Sequence, residues 1–429
     1  MTALPGPYVR TEMLPQQPPP IGQAGLLRWV RENLFSSVLN ATLTLVTILV
    51  VFSLVRHMLP WFANSVWTAG SLTECREMLD GKTGACFSVV ADRWNQMVFG
   101  FYPVELYWRP ILAVVLLLAA LAPMLFSGVP RQLLWFSVFY PAVAVWLLWG
   151  GSLWGPILAT VGFGIAFMVY QSVARLQALL AAPLALLSLM VWWLWGVGLV
   201  AGVAQSIVPL DLTEVRSHEF GGFMLSVVIG VTGIALSLPM GILLALGRKS
   251  DLFLIRTVCI GFIEFIRGVP LITLLFTAST LLNYFLPPNT NFDITLRVII
   301  MVTIFAAAYM AEVIRGGLSA LPTGQYEAAD ALGLNYWKAQ RLIIMPQALK
   351  ISIPGIVNTF IGLFKDTTLV IFIGLLDPLG LTNSIRADVN WNGIYWELFL
   401  FVGVMFFIVC FSMSRYSMYL ERRLKTDHL

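Results

Sequence analysis

Residues 178–203 read ALLAAPLALLSLMVWWLWGVGLVAGV, a stretch without one charged side chain. A helix needs roughly 20 apolar residues to cross the hydrocarbon of a bilayer, so this run can span one. Its Pro and Gly are tolerated there, because neighbouring helices satisfy the backbone groups they free. Comparable runs lie outward on both sides, near 39–55, 111–126, 133–149 and 155–173, then 223–246, 253–286, 298–314, 351–376 and 398–413. They predict an all-α, polytopic membrane protein of about ten transmembrane helices, half on either side of a polar break at 211–219. Composition agrees: 59% of the 429 residues are hydrophobic and 11% are charged. A soluble domain has about a quarter of its residues charged, so a large water-facing surface is excluded. The net charge of +4 is scattered rather than striped, which argues against a nucleic-acid partner.

These runs divide the chain. Residues 1–36 form an N-terminal tail containing Pro15, Pro18, Pro19 and Pro20. It lacks the apolar stretch of a cleavable signal peptide and ends in a short amphipathic segment from Trp29 to Leu34. Residues 37–205 form an extension of about five transmembrane helices with a polar outer loop near 60–109. A linker at 206–221 leads to a C-terminal core of about five helices over 222–420 and a tail at 421–429. With the N-terminus placed in the cytoplasm, Lys and Arg fall on the inner side about twice as often as on the outer side. Both termini are therefore expected in the cytoplasm. Cys75 and Cys86 then face an oxidising compartment, and either a disulfide or two free thiols is compatible with the loop that holds them. No C-x-x-C pattern occurs, so no metal site is expected. Trp61, Trp67, Trp94, Trp108, Trp149, Trp154, Trp391 and Trp396 fall near predicted span ends, where indoles anchor at the headgroup level.

One inner loop breaks the pattern. Residues 316–350 are too polar to cross and contain two short helical stretches, Gln325 to Leu332 and Asn335 to Ile344. Thr323 is the expected N-cap, Gly333 the turn between them and Pro346 the end. Glu327, Ala328, Ala329, Gly333, Ile343, Met345 and Pro346 stand at the spacing E-A-A, three residues, G, nine residues, I-x-L-P, with Met345 in the place of Leu. This resembles the coupling loop of ATP-binding-cassette (ABC) importer permeases. Ala308 to Gly317 (AYMAEVIRGG), Glu264 to Leu271 (EFIRGVPL) and Lys365 to Leu369 (KDTTL) are similar to segments of the polar amino-acid permeases, the histidine, glutamine and arginine type. The long N-terminal half and the opening LPGPYVRTEMLPQQPPP resemble the larger permease subunit of general L-amino-acid and glutamate/glutamine/aspartate/asparagine importers.

The resemblance implies a type I importer permease core in the C-terminal half. Its partners would be two ATP-binding-cassette subunits holding ATP and Mg, a sister permease, a periplasmic amino-acid-binding protein and membrane lipid. The loop helix carrying Glu327 would dock on an ATPase subunit. The location implied is the bacterial inner membrane. Independently, Glu264, Arg267, Glu312, Lys365 and Asp366 fall at or near span interiors, where a charge costs on the order of 2.5–3.5 kcal/mol or more. Two readings stand: structural ion pairs (Lys365 with Asp366, Arg267 with Glu264 or Glu312), or contact between Arg267 or Lys365 and a substrate carboxylate. No Walker A sequence is present. Gly81-Lys82-Thr83 has Arg76 where the first Gly belongs, and Gly247-Arg248-Lys249-Ser250 lacks the Lys. His57, His218 and His428 are far apart and compose no nucleophile–base set, so the chain is not expected to be an enzyme or to hold a cofactor. The competing classes are an ion-coupled secondary transporter, which would suit two sets of five helices, and a non-transporting membrane scaffold. The two halves look unlike each other, which argues against the first; intramembrane charges argue against the second.

Overall fold

A computed structural model describes residues 25–126, 128–281, 284 and 293–424. The Pro-rich part of the expected tail, the end of the run at 253–286 and the last five residues lie outside the described residues. The chain divides into two compact units, residues 1–69 with 73–87 and residues 70–72 with 88–429.

In the first unit, α1 (Leu26–Asn33) is the amphipathic segment expected before the first span, and it carries an exposed Arg28–Glu32 pair at 2.8 Å. α2 (Val38–Ala63) is capped by Ser37, whose side chain accepts from the Asn40 amide, and none of its residues is buried. A 26-residue helix that is mostly apolar and buries nothing suits hydrocarbon as its solvent. α3 (Leu72–Leu79) places Cys75 next to Cys86, and the two are joined as a disulfide with Cα atoms 6.2 Å apart. The Phe87 ring then meets Trp61 and Trp67 at 5.6 and 4.9 Å. The polar stretch after α2 is thus folded rather than an open loop.

The second unit begins with α4 (Ser88–Phe99), α5 (Trp108–Leu125), α6 (Leu134–Trp149) and the two-residue strand β1 (Gly151–Ser152). α7 (Trp154–Ala174), α8 (Ala178–Val191) and α9 (Val197–Ile207) follow, the last two joined through a π turn at Trp192–Gly196. That turn is used: the Trp192 and Trp193 indoles donate to the carbonyls of Leu158 and Ala159 at 2.8 and 3.0 Å, tying it to α7.

The expected linker is pinned. β2 (Asp211–Leu212) pairs antiparallel with β1. Arg109, 2% exposed, donates to the carbonyl and hydroxyl oxygens of Thr213 at 2.7 and 2.6 Å. Trp149 stacks on Phe220 at 4.5 Å and donates to Ser217 Oγ at 2.7 Å. Trp149 is thus a packing residue, not a headgroup anchor.

The C-terminal core comprises α10 (Gly222–Arg248), α11 (Phe253–Gly268), α12 (Leu271–Phe276), α13 (Ile294–Ser319), α14 (Gly324–Ala331), α15 (Tyr336–Ala339), α16 (Met345–Asp366), α17 (Pro378–Ile385) and α18 (Trp396–Leu424). Among the described residues nine helices are long and apolar enough to cross a membrane, or ten if α11 and α12 count as one span. Those two meet at 101°, so the run at 253–286 is not one straight helix. The cause is local: Pro270 has no N–H and drives Val269 to extended backbone. One hydrophobic cluster joins Tyr102, Leu147 and Leu148 of the N-terminal region to Phe220, Met224, Ile229, Val298 and Val302 of the core. A second holds Ala245, Ile263, Met310, Ile314, Leu318, Ile344 and Ala348.

Asp377 caps α17. It is fully buried, accepts from the Gly380 and Leu379 amides at 2.9 and 3.2 Å, and burial pushes its carboxyl up to about 6. An acid whose folded pKa exceeds its unfolded value stabilises the fold when protonated; that contribution is complete below about pH 4 and is lost as pH rises through about 6. Asp377→Asn keeps an acceptor for the cap and removes the charge. Its melting temperature is expected to pull ahead of wild type as pH rises from 4 to 7, by the equivalent of about 2 kcal/mol. Parallel profiles in a detergent melt would rule this out.

Candidate functional site

Glu312 is the centre of the charged group. It lies on α13, with its side chain 16% exposed, and pairs with Arg248 of α10 at 2.9 Å, Arg315 of α13 at 3.0 Å and Arg267 at the end of α11 at 3.7 Å. Arg248 also reaches Glu264 at 2.8 Å, and Arg267 lies over the Tyr309 ring at 5.5 Å. Three guanidiniums and two carboxylates therefore knot α10, α11 and α13 at the end of the bundle that carries α14.

The sequence points to Glu264, Arg267 and Glu312 but not to their partners Arg248 and Arg315. For Arg315 the signal was present, since it stands three residues beyond Glu312 on one helix face. Lys365 and Asp366 enter no ion pair among the described residues; Lys365 is exposed and Asp366 half-buried at the end of α16. The expected structural pairing of these two is therefore not present.

The turn below the hub is formed by α14 and α15. Gly333 sits at φ +68°, a left-handed conformation that L side chains resist, and it reverses the chain between the helices as expected. Asn335 caps α15 by accepting from the Lys338 amide at 2.9 Å. Thr323, the expected N-cap of α14, is itself helical and makes no side-chain cap bond. The other departure is at Pro346. From Tyr336 the helix runs through a π turn at Gln340–Ile344 into α16, and Pro346 follows directly on that turn, where the irregular backbone accommodates a residue without an N–H. Ile343 and Pro346 thus belong to the root of a span and not to the loop.

Ala329, 1% exposed, is the inward face of α14. Tyr326 Oη donates to the Leu318 carbonyl at 3.4 Å, and Gln347 Nε2 to Gln325 Oε1 at 2.9 Å. These contacts hold α14 to α13 on one side and to α16 on the other. The outward face presents the exposed Glu327 and Ala328, and around the turn it presents Leu332, Tyr336 and Trp337, the last three each more than half exposed. A polar helical turn with an apolar exposed rim is a surface suited to a protein partner.

A bundle of apolar helices thus carries a partly buried charge hub above an exposed helical turn, an architecture suited to a membrane transport protein. The family described as binding-protein-dependent transport system inner membrane component matches residues 237–426. The glutamate/glutamine/aspartate/asparagine transport system permease protein BztC of Rhodobacter capsulatus is 57% identical over 98% of this chain and 99% of its own length. The inner membrane amino-acid ABC transporter permease protein YhdY of Escherichia coli is 38% identical over 96% of each chain. The glutamate/aspartate import permease protein GltK of Escherichia coli is 31% identical, over 96% of its length and 51% of this chain. Among solved structures, an amino acid ABC transporter with histidines aligns at 30% identity with a TM-score of 0.42, over 47% of this chain and 91% of that one. The chain belongs to the amino-acid ABC transporter permease family, multi-pass proteins of the inner membrane.

Proposed function

We propose that this permease carries acidic and polar L-amino acids, glutamate, glutamine, aspartate and asparagine among them. The observation that carries the substrate reading is the likeness to BztC along nearly the whole chain, N-terminal region included. In this reading the chain pairs with a sister permease, two ATP-binding-cassette subunits bind ATP and Mg on the cytoplasmic side, and a periplasmic protein delivers the amino acid. Both termini are cytoplasmic, and Cys75 and Cys86 face the periplasm.

α14 is the coupling element. When the ATPase subunits close, they draw the two permeases' α14 turns together. Because Tyr326 and Gln325 tie α14 to α13 and α16, those helices tilt with it, and the path opens to the periplasm. Hydrolysis on the partners resets the inward-open state. The chain's own contribution is mechanical.

The test is uptake of L-glutamate by proteoliposomes holding the chain with its co-purified partners. Uptake is expected to require ATP, to stop with vanadate and to survive a proton uncoupler. Uptake without ATP that collapses with the uncoupler would overturn the reading in favour of an ion-coupled carrier.

A further inference from the structure

The loop between α17 and α18, residues 386–395, reads RADVNWNGIY and is ordered in part by itself: the Asn390 amide donates to Asp388 Oδ1 at 2.9 Å, and Arg386 lies over the Tyr395 ring at 4.0 Å. It is also held by a part of the chain about 295 residues away, α4. Trp391 is fully buried and its indole donates to Asp92 Oδ2 at 2.9 Å. Arg93 pairs with Asp388 at 3.1 Å and with Asp92 at 3.0 Å. The Leu72 amide donates to the Asn390 carbonyl at 2.8 Å.

α4 is itself fixed against the same end of the core. Gly100, directly after it, has φ +70° and forms a bridge with Phe220; a Cβ there would come within 2.3 Å of Gly221. Gly222 in turn donates to the Leu376 carbonyl at 2.8 Å, just before the buried cap Asp377. Backbone contacts thus run without a gap from α4 through the start of α10 to α17, and side-chain contacts return from the loop to α4. GltK covers about half of this chain, and the family model matches residues 237–426, which include α17, α18 and the loop between them. The loop that α4 holds lies within the matched residues, while α4 itself lies before them.

We propose that α4 is a clamp on this loop and that Asp92 and Arg93 are positioning residues, setting the α17–α18 segment of the core in its transport-competent place. They act through Trp391 and Asp388 and touch no substrate. This gives part of the N-terminal region a task at the end of the core opposite the coupling turn.

The variants are Arg93→Glu, which sets a carboxylate against Asp92 and Asp388, and Arg93→Glu with Asp388→Arg, which restores opposite charges. In the purified full complex, amide hydrogen exchange over 386–394 is expected to quicken about tenfold in the single variant and to return near wild type in the double one, with the global melting temperature held. L-Glutamate uptake should fall about fivefold and be restored in the same order. Exchange that is unchanged in the single variant overturns the clamp, as does a double variant that fails to recover. Faster exchange with undiminished uptake overturns the positioning role. The uptake arm rests on the importer reading and the exchange arm does not. A wild-type complex that carries no L-glutamate would sink the substrate assignment and leave the clamp to be decided by exchange.

Discussion

Replacing Glu312 with Ala is expected to destabilise the chain by about 3–5 kcal/mol, the largest cost of any single substitution in the charged hub. Its carboxylate faces Arg248, Arg267 and Arg315 at once, and its side chain is 16% exposed. Without it, three guanidiniums crowd one another near the end of the bundle with only Glu264 to answer them. Removing one partner of a desolvated pair leaves the others unpaired, and that residue of uncompensated charge sets the cost. Glu264→Ala is the matched control. Its side chain is 53% exposed and, among the described residues, its one ion pair is with Arg248, so the cost should stay near the ~1 kcal/mol of a surface pair. Thermal unfolding in detergent, followed by tryptophan fluorescence, separates the two. Equal shifts would mean that Glu312 is not the hub. Glu312→Asp should fall between them, because the shorter side chain cannot reach all three arginines. A stable, assembled Glu312→Ala complex with failed uptake would instead favour a role in the path.

That comparison shows what the sequence could and could not tell. Intramembrane charge is legible from hydropathy alone, so Glu264, Arg267 and Glu312 stood out. Their partners did not. Arg248 closes α10, and at the inner end of a span a basic residue needs no explanation. The bend between α11 and α12 was written in Gly268-Val269-Pro270, yet a run of apolar residues on both sides hid it, because hydropathy averages over the very residue that breaks the helix. At Pro346 the error was the opposite. Proline reads as a stop, while the π turn before it accommodates Pro346 in a helix that continues. Trp391 shows a third limit. An indole near a span end suits the headgroup belt, but this one is fully buried on Asp92. A contact between residues 299 apart leaves no local periodicity to find.

Glu327→Lys is expected to reduce ATP-driven uptake more than tenfold while leaving the chain folded, a separation that a structural residue could not produce. Glu327 lies in the first turn of α14, exposed and in no ion pair among the described residues. The helix dipole favours a carboxylate there, so reversing the charge costs the chain itself about 1 kcal/mol or less. The neighbouring Ala329, which anchors α14, is untouched. What changes is the outward face. A lysine ammonium then stands where a partner built to meet a carboxylate at a helix N-terminus would find a longer side chain of the wrong sign. At a desolvated protein contact, removing one partner of a hydrogen-bonded charge pair costs 2–5 kcal/mol or more. That is enough to abolish productive docking of an ATPase subunit at ordinary concentrations. The measurement pairs uptake with the melting temperature and with the amount of ATPase subunit that co-purifies. Lost uptake with an intact melt and reduced co-purification places Glu327 at the ATPase contact. Undiminished uptake in a folded variant would remove α14 from the coupling route, and the tie from Tyr326 and Gln325 to the spans would then be a matter of stability alone.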